Sequence, residues 1–169
     1  MKKAELLLLS LFIGTVAMIG VMRMHGADLI TPVSKAGIVS LELAKTTEHS
    51  NIIINQWKED GVLQLSITNT YIDFAFILFY ALFLYAFGFF ISYKQKAGAA
   101  KISRTLAMAA LAAGLCDVIE NYFMLQMLEG AVTATFALLS WLFAVIKFGL
   151  LIAVIIWSLL NLHVVFRKK

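Results

Sequence analysis

The stretch that decides the fold is YIDFAFILFYALFLYAFGFF, residues 71–90. Asp73 is its single charged residue. A helix rises about 1.5 Å per residue, so a stretch of this length crosses the roughly 30 Å hydrocarbon core of a bilayer. The apolar pattern continues at both ends, over residues 62–93. This part of the chain therefore predicts a transmembrane helix.

The composition of the whole chain agrees with a membrane protein. It is 62% hydrophobic and 14% charged, with a mean hydropathy of +0.89, whereas soluble domains are about 45–50% apolar and about 25% charged. A chain of 169 residues cannot withdraw so much apolar surface from water by itself. The sequence predicts an all-α fold, a four-transmembrane-helix bundle forming one domain over residues 1–169, with spans at about 4–22, 62–93, 102–128 and 131–165.

Residues 24–61 form the one substantial polar segment. Their spacing predicts one or two short amphipathic helices, lying on the membrane surface or capping the bundle. Thr31-Pro32 is typical of a helix start, and Trp57 suits the membrane interface. The first span, residues 4–22, also fits a cleaved signal peptide, although its length favours retention as a membrane helix.

Lysine and arginine near the span ends predict the orientation. They indicate a multi-pass protein of the cell (inner) membrane with both termini cytoplasmic, and at a net charge of +4 they are topology signals rather than a nucleic-acid surface. The expected inner side carries Lys2, Lys3, Lys94, Lys96, Lys101, Arg104, Arg167, Lys168 and Lys169. On the expected outer side, Arg23, Lys35, Lys45 and Lys58 are diluted by Asp28, Glu42, Glu48, Glu59 and Asp60.

Ionisable side chains inside the spans are the first candidates for a functional site, because each costs about 2.5–3.5 kcal/mol on insertion scales. Asp117 and Glu120 are three residues apart and share a helix face, which Asn121 extends. Asp73 and Tyr80 are seven apart and share a face of the second span. The topology places all three acids in the outer half of the membrane, beneath residues 24–61. The sequence thus predicts an outward-facing buried carboxylate cluster.

Lys147 lies near the middle of the fourth span and needs an anionic partner at that depth. The connection around Glu129 is so short that spans three and four must be antiparallel neighbours. Asp117 or Glu120 is the expected partner of Lys147, in a structural ion pair or as part of a functional, proton-coupled group. Glu42, in the apolar loop sequence SLELA, is either a further ligand, a lid residue or a solvated side chain.

Any metal at Asp73, Asp117 and Glu120 would meet oxygen ligands alone, which favours Mg²⁺, Ca²⁺ or Mn²⁺ over Zn²⁺. The three histidines are dispersed along the chain. Neither a nucleotide-binding nor a hydrolase motif is present in the sequence. The cofactor, and whether the protein is an enzyme, stay open.

Several short motifs resemble a group of small bacterial four-span membrane proteins of unknown role. The resemblance implies no activity, but it implies one functional group composed of Glu42, Asp73, Asp117, Glu120 and Asn121. The matching pieces are LELA at 41–44, Trp57, YIDFAFILFY at 71–80 and GLCDVIEN at 114–121.

Three functions fit these observations. The first is a protein that binds a cation, a lipid headgroup or another polar ligand at the carboxylate cluster. The second is an accessory or structural protein that stabilises a membrane-protein partner or a homo-oligomer. The third is an ion-coupled transporter, which at four spans without an internal repeat requires a dimer.

Overall fold

The computed structural model describes residues 3–166, and all regular structure in that range is helical. Lys2, Arg167, Lys168 and Lys169, which contributed to the predicted orientation, lie outside the described residues. There are six α-helices, α1 (Lys3–His25), α2 (Ile38–Glu42), α3 (Thr47–Glu59), α4 (Leu63–Ser92), α5 (Ala97–Leu128) and α6 (Ala134–Leu160), and short 3₁₀ helices at Ala27–Leu29 and Leu162–Phe166.

Four of these helices, α1, α4, α5 and α6, are long and apolar enough to cross a membrane. The predicted four-span, all-α fold is therefore confirmed, and two of the helices differ in extent from the predicted spans. The helix of the third span begins at Ala97, ahead of the span predicted from about residue 102. The fourth helix covers Ala134–Leu160 rather than 131–165, because the Thr133 hydroxyl accepts a hydrogen bond from the Phe136 amide at 3.1 Å and caps its first turn. The side of the membrane that each end faces stays a prediction.

The helices pack in the order α1–α4–α5–α6, with α5 in contact with both α4 and α6 along much of their length. Small residues on α4 and α5 permit this close approach. A Cβ atom at Gly114 would lie 3.0 Å from the Ala81 Cβ atom, and one at Gly88 would lie 2.8 Å from the Ala107 Cβ atom. Within residues 3–166, α4 is the span against which α1 makes its extensive contacts, and no residue of α1 is buried.

Residues 26–62, which we call the cap, connect α1 to α4 and cover one end of the bundle. Ile53, Ile54 and Trp57 on α3 are buried in one apolar core with Met124 and Leu128 at the end of α5. The segment therefore caps the bundle, one of its two predicted arrangements.

Two details of the cap differ from the sequence predictions. Thr31-Pro32 does not begin a helix, because Thr31 and Ser34 form a hydrogen-bonded turn and the next helix starts only at Ile38. Trp57 is not an interfacial ring: it is 0% exposed, and its Nε1 atom donates to the Leu29 carbonyl at 3.0 Å and to Ser34 Oγ at 3.2 Å.

The opposite end of the bundle is held by a chain of side-chain hydrogen bonds. Trp157 Nε1 donates to Ser103 Oγ at 2.8 Å, and Ser103 Oγ donates to Gln95 Oε1 at 2.6 Å. Gln95 Nε2 then donates to Asn161 Oδ1 at 2.7 Å. These bonds tie the α4–α5 connection to the end of α6, so both ends of the spans are anchored.

Candidate functional site

The centre of the site is Lys147, which is only 4% exposed and is surrounded by three carboxylates. Its Nζ atom donates to Asp117 Oδ1 at 2.8 Å and to Glu42 Oε2 at 3.1 Å. The Nζ atom also forms an ion pair with Glu120 Oε2 at 2.7 Å, but the angles between the two groups are not those of a hydrogen bond. The predicted partnership of Lys147 with Asp117 or Glu120 is therefore confirmed for both acids.

The backbone explains why these side chains meet. Lys147 is thirteen residues beyond the start of α6, and Asp117 is eleven before the end of α5. At about 1.5 Å per residue these positions lie at similar depths in antiparallel neighbours, about 20 and 17 Å from the cap end. Glu42 arrives from α2 instead, where it is 7% exposed. Of the roles left open for Glu42, the geometry excludes the solvated side chain.

A second pair of contacts extends the cluster towards α4. The Tyr80 hydroxyl donates to Asp117 Oδ2 at 2.6 Å, and Asn121 Nδ2 donates to Asp73 Oδ2 at 2.7 Å. Tyr80 thus contacts an acid of α5 rather than Asp73 on its own helix face. All seven candidate residues predicted from the sequence belong to this one region of the fold, namely Glu42, Asp73, Tyr80, Asp117, Glu120, Asn121 and Lys147.

Three buried oxygen atoms in this region accept no hydrogen bond from any residue between 3 and 166. Two are Glu120 Oε1 and Oε2, on a side chain that is 0% exposed, although Oε2 forms the ion pair with Lys147. The third is Asn69 Oδ1, on a side chain that is 1% exposed. Asn69 Nδ2 donates to the Met22 carbonyl at 3.4 Å, which fixes the amide orientation because a flipped amide would place two acceptors together.

A cavity of about 860 Å³ lies beside the cluster, with walls formed by α1 and α6 and a floor formed by α4. This volume falls within the roughly 300–1,000 Å³ of small-molecule sites. Its charged residues all lie in the half of the cavity nearer the cap, whereas aliphatic and aromatic side chains dominate the remainder. The charged residues are Arg23, Glu42, Asp73, Asp117 and Lys147, and the apolar lining includes Phe83, Leu84, Phe87, Leu151, Ile155 and Leu162.

The direction in which the cavity opens differs from the expectation. The sequence predicted an outward-facing carboxylate cluster beneath residues 24–61. Residues 36–39 and Glu42 instead line the cap end of the cavity, and α1 makes no substantial contact with α6 among the described residues. Phe12 and Leu159 on the two facing helices are 46% and 65% exposed. The opening therefore runs sideways, along the gap between the two apolar helices α1 and α6.

A smaller cavity of about 20 Å³ adjoins the large one near the cap. Glu42, Asn69 and Asp73 line both spaces, and Asn121 also lines the smaller one. A volume of about 10–15 Å³ is enough for one water molecule, so the smaller space accepts one group of that size. Sequence reasoning missed Asn69, although its position four residues before Asp73 on the same helix face was a usable signal.

The described residues give no support to a metal site at Asp73, Asp117 and Glu120. Between residues 3 and 166, no group of three or more histidine, cysteine, aspartate or glutamate side chains is arranged to hold a metal ion. Asp117 and Glu120 are turned towards the Lys147 ammonium instead. The preference for Mg²⁺, Ca²⁺ or Mn²⁺ over Zn²⁺ thus stays a sequence-based prediction.

The fold and the site define the class: an α-helical, multi-pass integral membrane protein with a buried lysine–carboxylate cluster beside an intramembrane cavity. Comparison with protein-family models, with curated proteins and with solved structures gave no match. The function must therefore be argued from the site itself.

Proposed function

We propose that this membrane protein binds an amphipathic ligand taken from the lipid phase. The ligand's chain lies in the cavity between α1 and α6, and its polar group lies against the carboxylates near the cap. The observation that carries the proposal is the division of one 860 Å³ cavity into a charged end and an apolar end. A fully polar ligand would make no favourable contact with the apolar end, and a fully apolar ligand would leave the charged groups without a partner.

The dimensions of the cavity support a chain-bearing ligand. On α6 the lining extends from Lys147 to Leu159, twelve residues or about 18 Å of helix. On α4 it extends from Asn69 to Phe87, eighteen residues or about 27 Å. One leaflet of a bilayer core is about 15 Å thick, so the cavity is long enough for the chain of one lipid-like molecule.

The sideways opening supports entry from the membrane. α1 has no buried residue, and its partner among the spans is α4. A ligand passing between α1 and α6 therefore displaces lipid and breaks few contacts between helices. Its polar group meets the cluster only after the chain has entered the cavity.

The accessory role is the second candidate, and the ion pairs of Lys147 favour it. Lys147 joins Glu42 of the cap to Asp117 and Glu120 of α5, which is an arrangement expected of a structural link. An exclusively structural protein would lose stability when the cluster is changed and would bind no ligand in the cavity. Ligand titration therefore separates the two candidates.

The test uses three probes with identical chains, dodecylamine, dodecanol and dodecanoic acid, added separately to protein purified in a non-ionic detergent. Native mass spectrometry measures each dissociation constant. We expect at least one probe to bind at roughly micromolar Kd, which corresponds to about −8 kcal/mol. Binding of none of the three would refute the proposed function.

Blocking variants locate the bound chain. Thr15→Phe and Ser158→Phe each place a ring in the cavity, and we expect each to weaken binding at least tenfold. Ala17→Phe and Ala153→Phe are the matched controls, because these alanines are exposed residues of the same helices outside the cavity lining. Equal losses in blocking and control variants would contradict the proposed location.

A further inference from the structure

The polar end of the cavity offers hydrogen-bond acceptors, because its side-chain donors are already engaged by the protein. Lys147 contacts three carboxylates, and the Tyr80 hydroxyl donates to Asp117. Asn121 Nδ2 donates to Asp73, and Asn69 Nδ2 donates to the Met22 carbonyl. Arg23, at the end of α1, is the exception, and its side chain is exposed.

Hydrogen-bond acceptors at the polar end of the cavity, in contrast, are still available to a ligand. Asn69 Oδ1 is buried and accepts no hydrogen bond from residues 3–166. Within residues 3–166, Asp73 accepts one hydrogen bond, at Oδ2 from Asn121. Glu42 also accepts one, at Oε2 from Lys147. These three side chains line both the large cavity and the 20 Å³ space beside it. A ligand group that enters this space must therefore donate hydrogen bonds, since an unpaired buried acceptor costs about 1–3 kcal/mol.

The formal charges of the site also favour a positively charged ligand group. Four carboxyl groups, those of Glu42, Asp73, Asp117 and Glu120, share this region with one ammonium group, that of Lys147, and three of the four pair with it. Their formal charges leave an excess of three negative charges, or two when Arg23 at the rim is counted. Excess charge is costly in a low-dielectric interior, and a positively charged ligand group offsets it.

We infer that the polar group of the ligand is a primary ammonium, held by Asn69, Asp73 and Glu42 in the small space next to the cavity. This inference rests on the proposed function and names its ligand class, a long-chain primary amine or an amphiphile ending in one. An ammonium group has three donors and one positive charge, and it is close to a water molecule in size. A quaternary ammonium has the same charge but no donor, and three methyl groups exceed the 20 Å³ available.

The experiment compares four dodecyl probes that differ only in the headgroup: dodecylamine, dodecyltrimethylammonium, dodecanol and dodecanoic acid. At pH 7, native mass spectrometry should show dodecylamine binding at least tenfold more tightly than each of the other three. Asp73→Asn and Asn69→Leu should each reduce this preference to threefold or less. Asp28→Asn should preserve it, because Asp28 is an exposed residue that lies outside both linings.

The outcomes separate this inference from the proposed function. If all four probes bind within threefold of one another and Thr15→Phe blocks them, the cavity binds amphiphiles but the ammonium assignment is wrong. If dodecyltrimethylammonium matches dodecylamine, positive charge alone is recognised and the donor argument fails. If methylamine binds as tightly as dodecylamine, the chain contributes nothing and the proposed function fails, while the ammonium site stands.

Discussion

Replacing Lys147 with methionine tests whether the cluster holds the bundle together. Methionine keeps the length and apolar stem of the side chain and removes its charge. Three carboxylates lose their cation, and two of them, Asp117 and Glu120, are 4% and 0% exposed. Removing one partner of a buried ion pair costs about 3–5 kcal/mol. Asp117 keeps the Tyr80 hydroxyl, but Glu120 keeps no hydrogen bond within residues 3–166, so we expect a loss near the upper limit, about 5 kcal/mol.

The assay is thermal unfolding of the purified protein in a non-ionic detergent. At about 2–4 °C per kcal/mol for a chain of this size, Lys147→Met should lower the Tm by roughly 10–20 °C. Lys58→Met is the matched control, because Lys58 is exposed on α3, and it should shift the Tm by no more than about 2 °C. A double variant, Lys147→Met with Glu120→Gln, removes the most isolated negative charge. It should recover about 1–3 kcal/mol relative to Lys147→Met, because contacting residues couple by about that amount.

Two results would contradict this reasoning. A Tm for Lys147→Met within about 2 °C of the Lys58→Met value would mean that the ion pairs contribute nothing to stability. A double variant less stable than Lys147→Met would mean that Glu120 is not a stranded charge and has a separate favourable role.

Three further predictions concern the scaffold. Gly88→Ala should destabilise the protein by about 1–3 kcal/mol in thermal unfolding, because the added Cβ atom would press α4 away from α5. Gly149→Ala is the control: its added Cβ atom would meet nothing within 4 Å, and the change should be neutral or stabilising by up to about 1 kcal/mol. Trp57→Phe should cost about 0.5–1.5 kcal/mol in the same assay, because the Leu29 carbonyl and Ser34 Oγ each lose one of their hydrogen bonds and keep another. With the native cysteine replaced by alanine, Lys58→Cys should react with an impermeant maleimide added outside intact cells, and Gly98→Cys only after lysis; the reverse pattern would invert the predicted orientation.

The spans and the partners of Lys147 were predictable because each follows from a local rule. An apolar run of membrane length is sufficient to indicate a span, as in residues 71–90. The short loop at Glu129 makes α5 and α6 antiparallel, which brings Lys147 to the depth of Asp117. Neither step requires knowledge of the other helices.

The role of Glu42 and the shape of the cavity were not predictable in the same way. Glu42 is 105 residues from Lys147 along the chain, and its loop sequence favoured a solvated side chain over a ligand or a lid residue. The cavity depends on α1 packing against α4 and leaving α6 free, a choice between apolar surfaces that look alike in sequence. Trp57 shows the same limit, because its position at the membrane boundary suggested an interfacial ring, whereas the folded cap supplies two acceptors that bury it.

The cluster divides into a part that joins helices and a part that faces the cavity, and this division explains why the site has more carboxylates than its amine can neutralise. Lys147 and Glu120 pair between α5 and α6, and Glu120 does not line the cavity. Asp73 and Asn69 are on α4, line both cavities, and form neither a hydrogen bond nor an ion pair with Lys147. A structural link alone would need only the first pair. On our proposal, changes at Lys147 or Glu120 act first on stability, whereas changes at Asp73 or Asn69 act first on headgroup preference. Measuring Tm and probe affinity on the same set of variants therefore distinguishes a cluster that only stabilises the helix bundle from one that also binds a ligand.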